Sequence, residues 1–177
     1  EHIDAANVDL KAFSEKFYQR LCSARLQPVL DTLVYLKRKT KVWFEITNLI
    51  VPGENDSEKE IKAMALWIVE NLGDDVPLHF SGFHPNFQMM NTVPTDLRIL
   101  RVARMIAIDA GLKYVYTGNI YNPEGSCTYC KHCGKVIIKR VGYDVQEQNL
   151  ISGKCSFCQT PCDGVFSRIN EDLKLEC

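Results

Sequence analysis

Charge imbalance is the first thing this sequence lacks. Its net charge is −1 over 177 residues, so nothing global argues for a nucleic acid or an anionic membrane as partner. No apolar run approaches the roughly 20 residues of a membrane helix, and no signal peptide opens the chain. No membrane is therefore expected, and a cytoplasmic location is. Internal repeats and low-complexity segments are missing too, which argues against a solenoid or a linker. Cysteine is scarce for two thirds of the chain, with Cys22 alone before Gly125. A secreted disulfide framework would be cysteine-dense, so that scarcity argues against one. An initiator Met is absent, and "EHIDAANVDLKAF" already reads as a strand. The sequence is expected to have lost the front of a longer protein.

What is present is ordinary for a globular chain: 46% hydrophobic and 24% charged residues. The length suits one domain with a small appendage. "HIDAANVDL" is a short apolar stretch. "LQPVLDTLVYLKRKT" is helical, with Leu26, Val29, Leu30, Leu33 and Leu36 on one face. "KVWFEITNLIVPG" is a strand stopped by Pro52-Gly53. Ser57 and Glu60 fit a capping box ahead of Ile61, Met64, Ala65, Ile68 and Leu72, and Gly73 closes that helix. "VPLHFSGFHP" is a further strand. Thr95 is the expected cap of a helix whose face is Ile99, Val102, Ala103, Ile106 and Ala110, with Gly111 just past its end. "KYVYTGNI" is the last strand of this part.

Strand and helix alternating at this spacing imply βαβ units and a parallel sheet. In such sheets chemistry gathers at the C-terminal ends of the strands. Polar residues stand at those ends: Asp9 and Lys11, Thr47 and Asn48, His79 and Ser81 with His84, and Thr117 and Asn119. Any one of them could be an ordinary loop residue, but four polar strand ends together are harder to dismiss. Composition changes after Gly118, and the boundary is expected at residue 122, with a second unit over 123–177.

Seven cysteines follow Gly125. Cys130-x-x-Cys133-Gly134 and Cys155-x-x-Cys158 form two knuckles separated by residues 134–154, slightly beyond the usual window for paired knuckles. Four thiolates satisfy a tetrahedral Zn²⁺ with no open position. The segment has too few apolar residues to hold itself together, so a metal would supply the missing stability. Cys127 and Cys162 extend the pattern to C-x2-C-x2-C and C-x2-C-x3-C, which could hold an iron–sulfur cluster. The reading adopted leaves both as neighbouring thiols and not ligands. Cys22 is read as helix packing and Cys177 as a free tail thiol.

"IDAANVDLKAF", "EITNLIVPGEND", "LHFSGFHPNFQM", "AGLKYVYTGNI" and "TYCKHCGKVIIKRVGYDV", in this order, resemble the radical SAM proteins of the AmmeMemoRadiSam system. Those are similar in turn to pyruvate formate-lyase activating enzymes. The resemblance implies α/β architecture: the C-terminal half of a partial (β/α)6 TIM-like barrel, followed by a small zinc ribbon. It implies a [4Fe–4S] cluster and S-adenosylmethionine at the strand ends, and cleavage of the latter to a 5′-deoxyadenosyl radical that abstracts hydrogen. By its D-x-K motif it assigns Asp9 and Lys11 to the adenosylmethionine site, and by a later strand His84. The place where activating enzymes often carry an Arg falls near Thr47 and Asn48, the cofactor candidates of that strand. A protein substrate or partner of the same system and an electron donor are the implied partners.

One motif is missing. The cluster triplet C-x3-C-x2-C of the resembled family does not occur in residues 1–124, so the cluster ligands are not in this chain and the chain alone is expected to be inactive. In the tail, Gln159 replaces a glycine common after the second knuckle, and Phe166 stands where a Trp is frequent. The competing expectation is a zinc-ribbon binding module that docks a protein or nucleic acid through Lys131, Lys135, Lys139, Arg140 and Tyr129. Asp144 and Glu147 dilute that patch.

Overall fold

The computed structural model describes residues 2–166; Cys177 lies outside them. Four strands, β1 (Ala5–Asp9), β2 (Trp43–Ile50), β3 (Leu78–Gly82) and β4 (Val115–Gly118), form one sheet in sequence order. All three pairings are parallel. Between β1 and β2 come α1 (Glu15–Leu21) and α2 (Leu26–Lys39), between β2 and β3 comes α3 (Glu58–Leu72), and between β3 and β4 comes α4 (Leu97–Asp109). Each helix is the crossover that a parallel connection needs.

The period-2 alternation of the strands separates two faces. In β2, Phe44, Ile46, Asn48 and Ile50 are buried, and the residues between them are half-buried. Leu78 and Phe80 of β3 join Ile61, Met64, Ala65, Ile68 and Leu72 of α3 in one core. Full burial of each such large apolar side chain contributes about 1.5–3 kcal/mol, so this layer between sheet and helices carries the stability. The other face bears Asn7, Glu45, Thr47, His79, Ser81 and Tyr116. Parallel sheets are ordinarily covered on both faces. A polar second face suits a sheet that works on that side.

Three local expectations change. Thr95 does not cap α4. Its hydroxyl donates to Ile50 O (2.6 Å) and accepts from Phe83 N (2.8 Å), tying two loops at the strand ends. Asp96 is the cap, accepting from Arg98 N at 2.7 Å. The buried stripe of α4 is Leu100, Ala103 and Ala107, whereas Val102 is exposed. Both stripes are apolar in the sequence, and small residues at 103 and 107 let the helix approach its neighbours closely. The capping box of α3 is half formed: Ser57 Oγ accepts from Glu60 N (3.3 Å), but the Glu60 carboxylate is used elsewhere, on Phe13 N (2.8 Å). Helix α1, capped by Ser14, ends at Cys22, the residue expected to pack on a helix. It is short and packs Phe17 and Tyr18 against Ala12.

After β4 a short helix, α5 (Pro123–Ser126), leads into the tail. Gly125 lies against the buried Thr117–Asn122 pair, where a Cβ would collide with both side chains. Two small antiparallel sheets follow: β5 (Thr128–Tyr129), β6 (Val136–Val141) and β7 (Asp144–Gln148), then β8 (Leu150–Ile151) and β9 (Lys154–Cys155). The hairpin turns at Gly142, whose φ of +60° favours glycine.

Candidate functional site

At the C-terminal end of β1, Lys11 Nζ donates to Asp9 Oδ2 at 2.7 Å, and both side chains are substantially exposed. One strand over, Thr47 Oγ1 accepts from Asn7 Nδ2 at 2.9 Å on the open face. Two strands from β1, in the loop after β3, His84 Nε2 lies 3.0 Å from Asn119 O. A carbonyl only accepts, so this nitrogen carries the proton. Asp9, Lys11, Thr47 and His84 thus belong to one end of the sheet. Asn48, expected beside Thr47 at that end, points the other way. It is buried on the helix side, where its amide donates to Leu10 O (2.8 Å) and Lys11 O (3.1 Å). The alternation of β2 forces this, since neighbours in a strand face opposite sides.

On the same open face, where His79 is in register with Thr47 and Tyr116, Glu45 Oε2 lies 2.7 Å from His79 Nε2, and the His79 ring stacks on Tyr116 with centroids 4.9 Å apart. The His79 hydrogen bond holds the Glu45 carboxyl below its ordinary pKa, against the opposing effect of burial. A depressed folded-state pKa means that Glu45 stabilises the fold fully above its unfolded pKa, about 4.3. That contribution is lost as pH falls through the lower folded value. Glu45→Gln is therefore expected to lower stability at neutral pH and to flatten the acid limb below about pH 4.3, so that the two stability–pH curves converge in acid. Urea melts across pH check this, and an unchanged acid limb would contradict it.

The tail brings Cys130, Cys133, Cys155 and Cys158 together, with all four sulfurs within 4.8 Å of one another. Two of the separations are 3.5 Å (Cys130–Cys158) and 3.8 Å (Cys133–Cys155). Bonds of about 2.3 Å in a tetrahedron place sulfurs roughly 3.8 Å apart, so the four fit one mononuclear ion. The two knuckles repeat one another. Gly134 N donates to Cys130 O (3.0 Å) and Gln159 N to Cys155 O (2.8 Å). Cys130 N donates to Lys135 O (2.8 Å) and Cys155 N to Thr160 O (2.9 Å). Gly134 and Gln159 both adopt positive φ, +70° and +61°. Gln159 thus fills the glycine position at some backbone cost.

The Thr160 hydroxyl and N–H favour the Cys158 thiolate and pull its pKa down to about 6. Cys133 is favoured by the Lys135 N–H, yet desolvation and three neighbouring sulfurs push it up to about 11. A divalent cation removes that conflict, because it stabilises every thiolate at once. Cys127 and Cys162 stay outside the four. Cys127 Sγ donates to Pro123 O (3.1 Å) in a buried position, and Cys162 packs beside the cluster near Tyr114.

The tail reaches the sheet at its other end. Tyr114, just before β4, donates to Asp163 Oδ2 (3.0 Å) and accepts from Asp163 N (3.1 Å), and Lys131 Nζ donates to the same carboxylate (2.7 Å). Burial pushes the Tyr114 hydroxyl well above its usual pKa, so it stays a neutral donor. Thr128 meets Tyr116 at 3.0 Å and accepts from Arg140 at 2.9 Å. A cavity of about 240 Å³ between Glu45, Tyr114, Tyr116, Arg140 and Phe166 marks this seam. The tail therefore meets the sheet through Tyr114, before β4, and Tyr116, near its start, whereas Lys11 and His84 lie in the loops that follow β1 and β3. Asp163 was missed in the sequence. Only its place just after Cys162 marked it.

No family model matches the chain. An uncharacterised protein of Methanocaldococcus jannaschii is 40% identical over 166 residues, which cover 93% of this chain and 49% of that protein. The chain spans about half the length of this curated relative. Among solved structures, a domain of a pyruvate-formate lyase-activating enzyme from Bacteroides vulgatus superposes with a TM-score of 0.57 at 18% identity. The match covers 66% of this chain and 68% of that one. At that identity the likeness is one of fold: the parallel α/β arrangement is shared with an activating-enzyme domain. Among the described residues, no helix is long and apolar enough to cross a membrane.

Proposed function

We propose that this chain is the adenosylmethionine-binding, C-terminal part of a radical SAM protein of the activating-enzyme kind, with a structural zinc in its tail. The observation that carries the reading is the placement of Asp9, Lys11, Thr47 and His84 at one end of a parallel sheet whose fold is shared with an activating-enzyme domain. An ammonium and a carboxylate side by side suit the amino-acid end of the ligand, and the second ring nitrogen of His84, an acceptor when Nε2 carries the proton, or a threonine hydroxyl suits a ribose hydroxyl. Asn48 acts on this site through the backbone it holds. Bound there, S-adenosylmethionine would supply the hydrogen-abstracting chemistry of the whole protein.

The cluster is a different matter. Residues 1–124 contain one cysteine, Cys22, at the end of α1, and one thiol cannot hold a [4Fe–4S] cluster. We therefore assign cluster binding, the electron donor and the reductive step to parts of the protein outside this chain, and a protein substrate or partner to the whole. The polar face of the sheet and the one-sided pairing of β1 suit the C-terminal half of a partial barrel.

The experiment is an assay of 5′-deoxyadenosine under dithionite after reconstitution with iron and sulfide. The full-length gene product is expected to form it, and residues 1–177 alone are not. In the full-length protein Lys11→Ala should weaken S-adenosylmethionine binding roughly 10- to 100-fold, the worth of a hydrogen bond to a charged group, without a matching loss of melting temperature. Turnover by the short chain, or wild-type binding by Lys11→Ala, would overturn the reading. The binding-module alternative loses ground in the structure. Lys131 is engaged by Asp163, Arg140 by Thr128, and Lys135 lies 4.4 Å over the Phe157 ring, so three of its basic residues serve the tail itself.

A further inference from the structure

The loop after β1 carries Lys11, and five of its backbone groups between Leu10 and Phe13 have partners within the protein. Leu10 N continues the ladder to Thr47 O at 2.9 Å. Leu10 O accepts from Asn48 Nδ2 at 2.8 Å. Lys11 N donates to the Tyr18 hydroxyl at 3.0 Å. Lys11 O accepts from two amides, Asn48 Nδ2 at 3.1 Å and Asn55 Nδ2 at 2.6 Å. Phe13 N donates to Glu60 Oε1 at 2.8 Å. Loops ordinarily give such groups to water. Here four side chains from α1, β2, the β2–α3 turn and α3 take them instead.

Two of the four are deeply buried, Asn48 at 2% and Asn55 at 3% exposure. Asn55 is itself fixed, since its Oδ1 accepts from Val51 N (2.7 Å) and its amide also donates to Leu49 O (2.9 Å). Asn48 Oδ1 is buried without a partner among the described residues. An orphaned buried acceptor costs about 1–3 kcal/mol. The alternative orientation would face that oxygen against the Leu10 and Lys11 carbonyls. The molecule keeps the orientation that holds the loop. The Lys11 ammonium, in contrast, is left toward solvent beside Asp9.

We propose that Tyr18, Asn48 and Asn55 are positioning residues that clamp the Lys11 backbone so that its ammonium is presented, pre-oriented, to the carboxylate of the bound ligand. This rests on the cofactor reading above and names the residues through which the fold would serve it. Fixing a binding group in advance removes the ordering cost that a free lysine would bear on each binding event.

The test is a double-mutant cycle in the full-length protein, read as the dissociation constant for S-adenosylmethionine by calorimetry. Asn55→Asp keeps the acceptor for Val51 N but loses both donated bonds. Tyr18→Phe removes one oxygen and serves if Asn55→Asp fails to fold. Each is expected to weaken binding about tenfold when Lys11 is present, and less than twofold on a Lys11→Ala background. Such coupling is what a clamp acting through Lys11 requires. If Lys11→Ala weakens binding but the variants act equally on both backgrounds, the residues are merely structural and the clamp is overturned. If Lys11→Ala binds as wild type does, the cofactor reading falls first.

Discussion

Cys155→Ser is expected to unfold the tail over residues 128–163 while the parallel sheet stays folded. The tail has almost no core of its own. Its buried cluster is Cys130, Ile137 and Cys155, with one fully buried aliphatic side chain, Ile137. Burying that side chain contributes about 1.5–3 kcal/mol. A structural zinc bound by four thiolates contributes roughly 10–16 kcal/mol of apparent folding free energy, so on the proposed zinc reading the metal decides whether the tail folds. Cys155 is the most buried of the four ligands, at 0% exposure. A serine there cannot supply the thiolate. Hydrogen exchange should show protection lost from β5 through β9 and retained in β2, β3 and α3. Mass spectrometry of the native protein should show one zinc in the wild type and none in the variant. Cys127→Ser and Cys162→Ser should keep the ion, because both sulfurs lie outside the group that shares it. A brown protein that loses iron on Cys127→Ser would replace the zinc reading with an auxiliary cluster. A Cys155→Ser tail that keeps its protection would remove the metal from the account altogether.

How far the sequence could be read depends on the kind of signal. The alternation of strand and helix was legible, because a β-branched and aromatic run closed by Pro52-Gly53 and an apolar helical repeat closed by Gly73 mark their own ends. The parallel sheet follows from it. The knuckle spacing was equally plain, since a C-x-x-C turn is local and its partner lies in the same hairpin. Less legible was which side of an element is buried. Apolar residues at 99, 100, 102, 103, 106 and 107 of α4 support two overlapping stripes, and only the approach of the sheet selects Leu100, Ala103 and Ala107. Side chains that reach far in sequence were misjudged for a related reason. Thr95 and Glu60 each fit a local cap, but each bonds across more than 40 residues, to Ile50 O and Phe13 N. Asn48 looked like a strand-end candidate, and Asn55 was not singled out. Their service to Lys11 is a product of tertiary folding, and a single sequence carries no mark of it.

Phe80→Ala is expected to cost about 3–5 kcal/mol, roughly a fifth or more of the about 5–15 kcal/mol that a folded domain commonly has. Phe80 lies in β3, which is paired on both sides by β2 and β4. Its ring has 0% exposure in the layer shared with Leu78, Met64, Ile68 and Leu100. Strands on either side and helices above leave little freedom to collapse into the space vacated, which is the condition for the upper part of that range. The next residue supplies the control. Ser81 is on the opposite, polar face, so Ser81→Ala should stay within about 0.5 kcal/mol. Urea denaturation should show a lowered midpoint with an unchanged slope for Phe80→Ala, since the surface exposed on unfolding is nearly the same. Zinc content should not change, because the four cysteines proposed to hold it lie in the tail and not in the layer around Phe80. If Phe80→Ala and Ser81→Ala cost the same, the two faces of the sheet are wrongly assigned, and with them the side on which Thr47 and Lys11 are proposed to work.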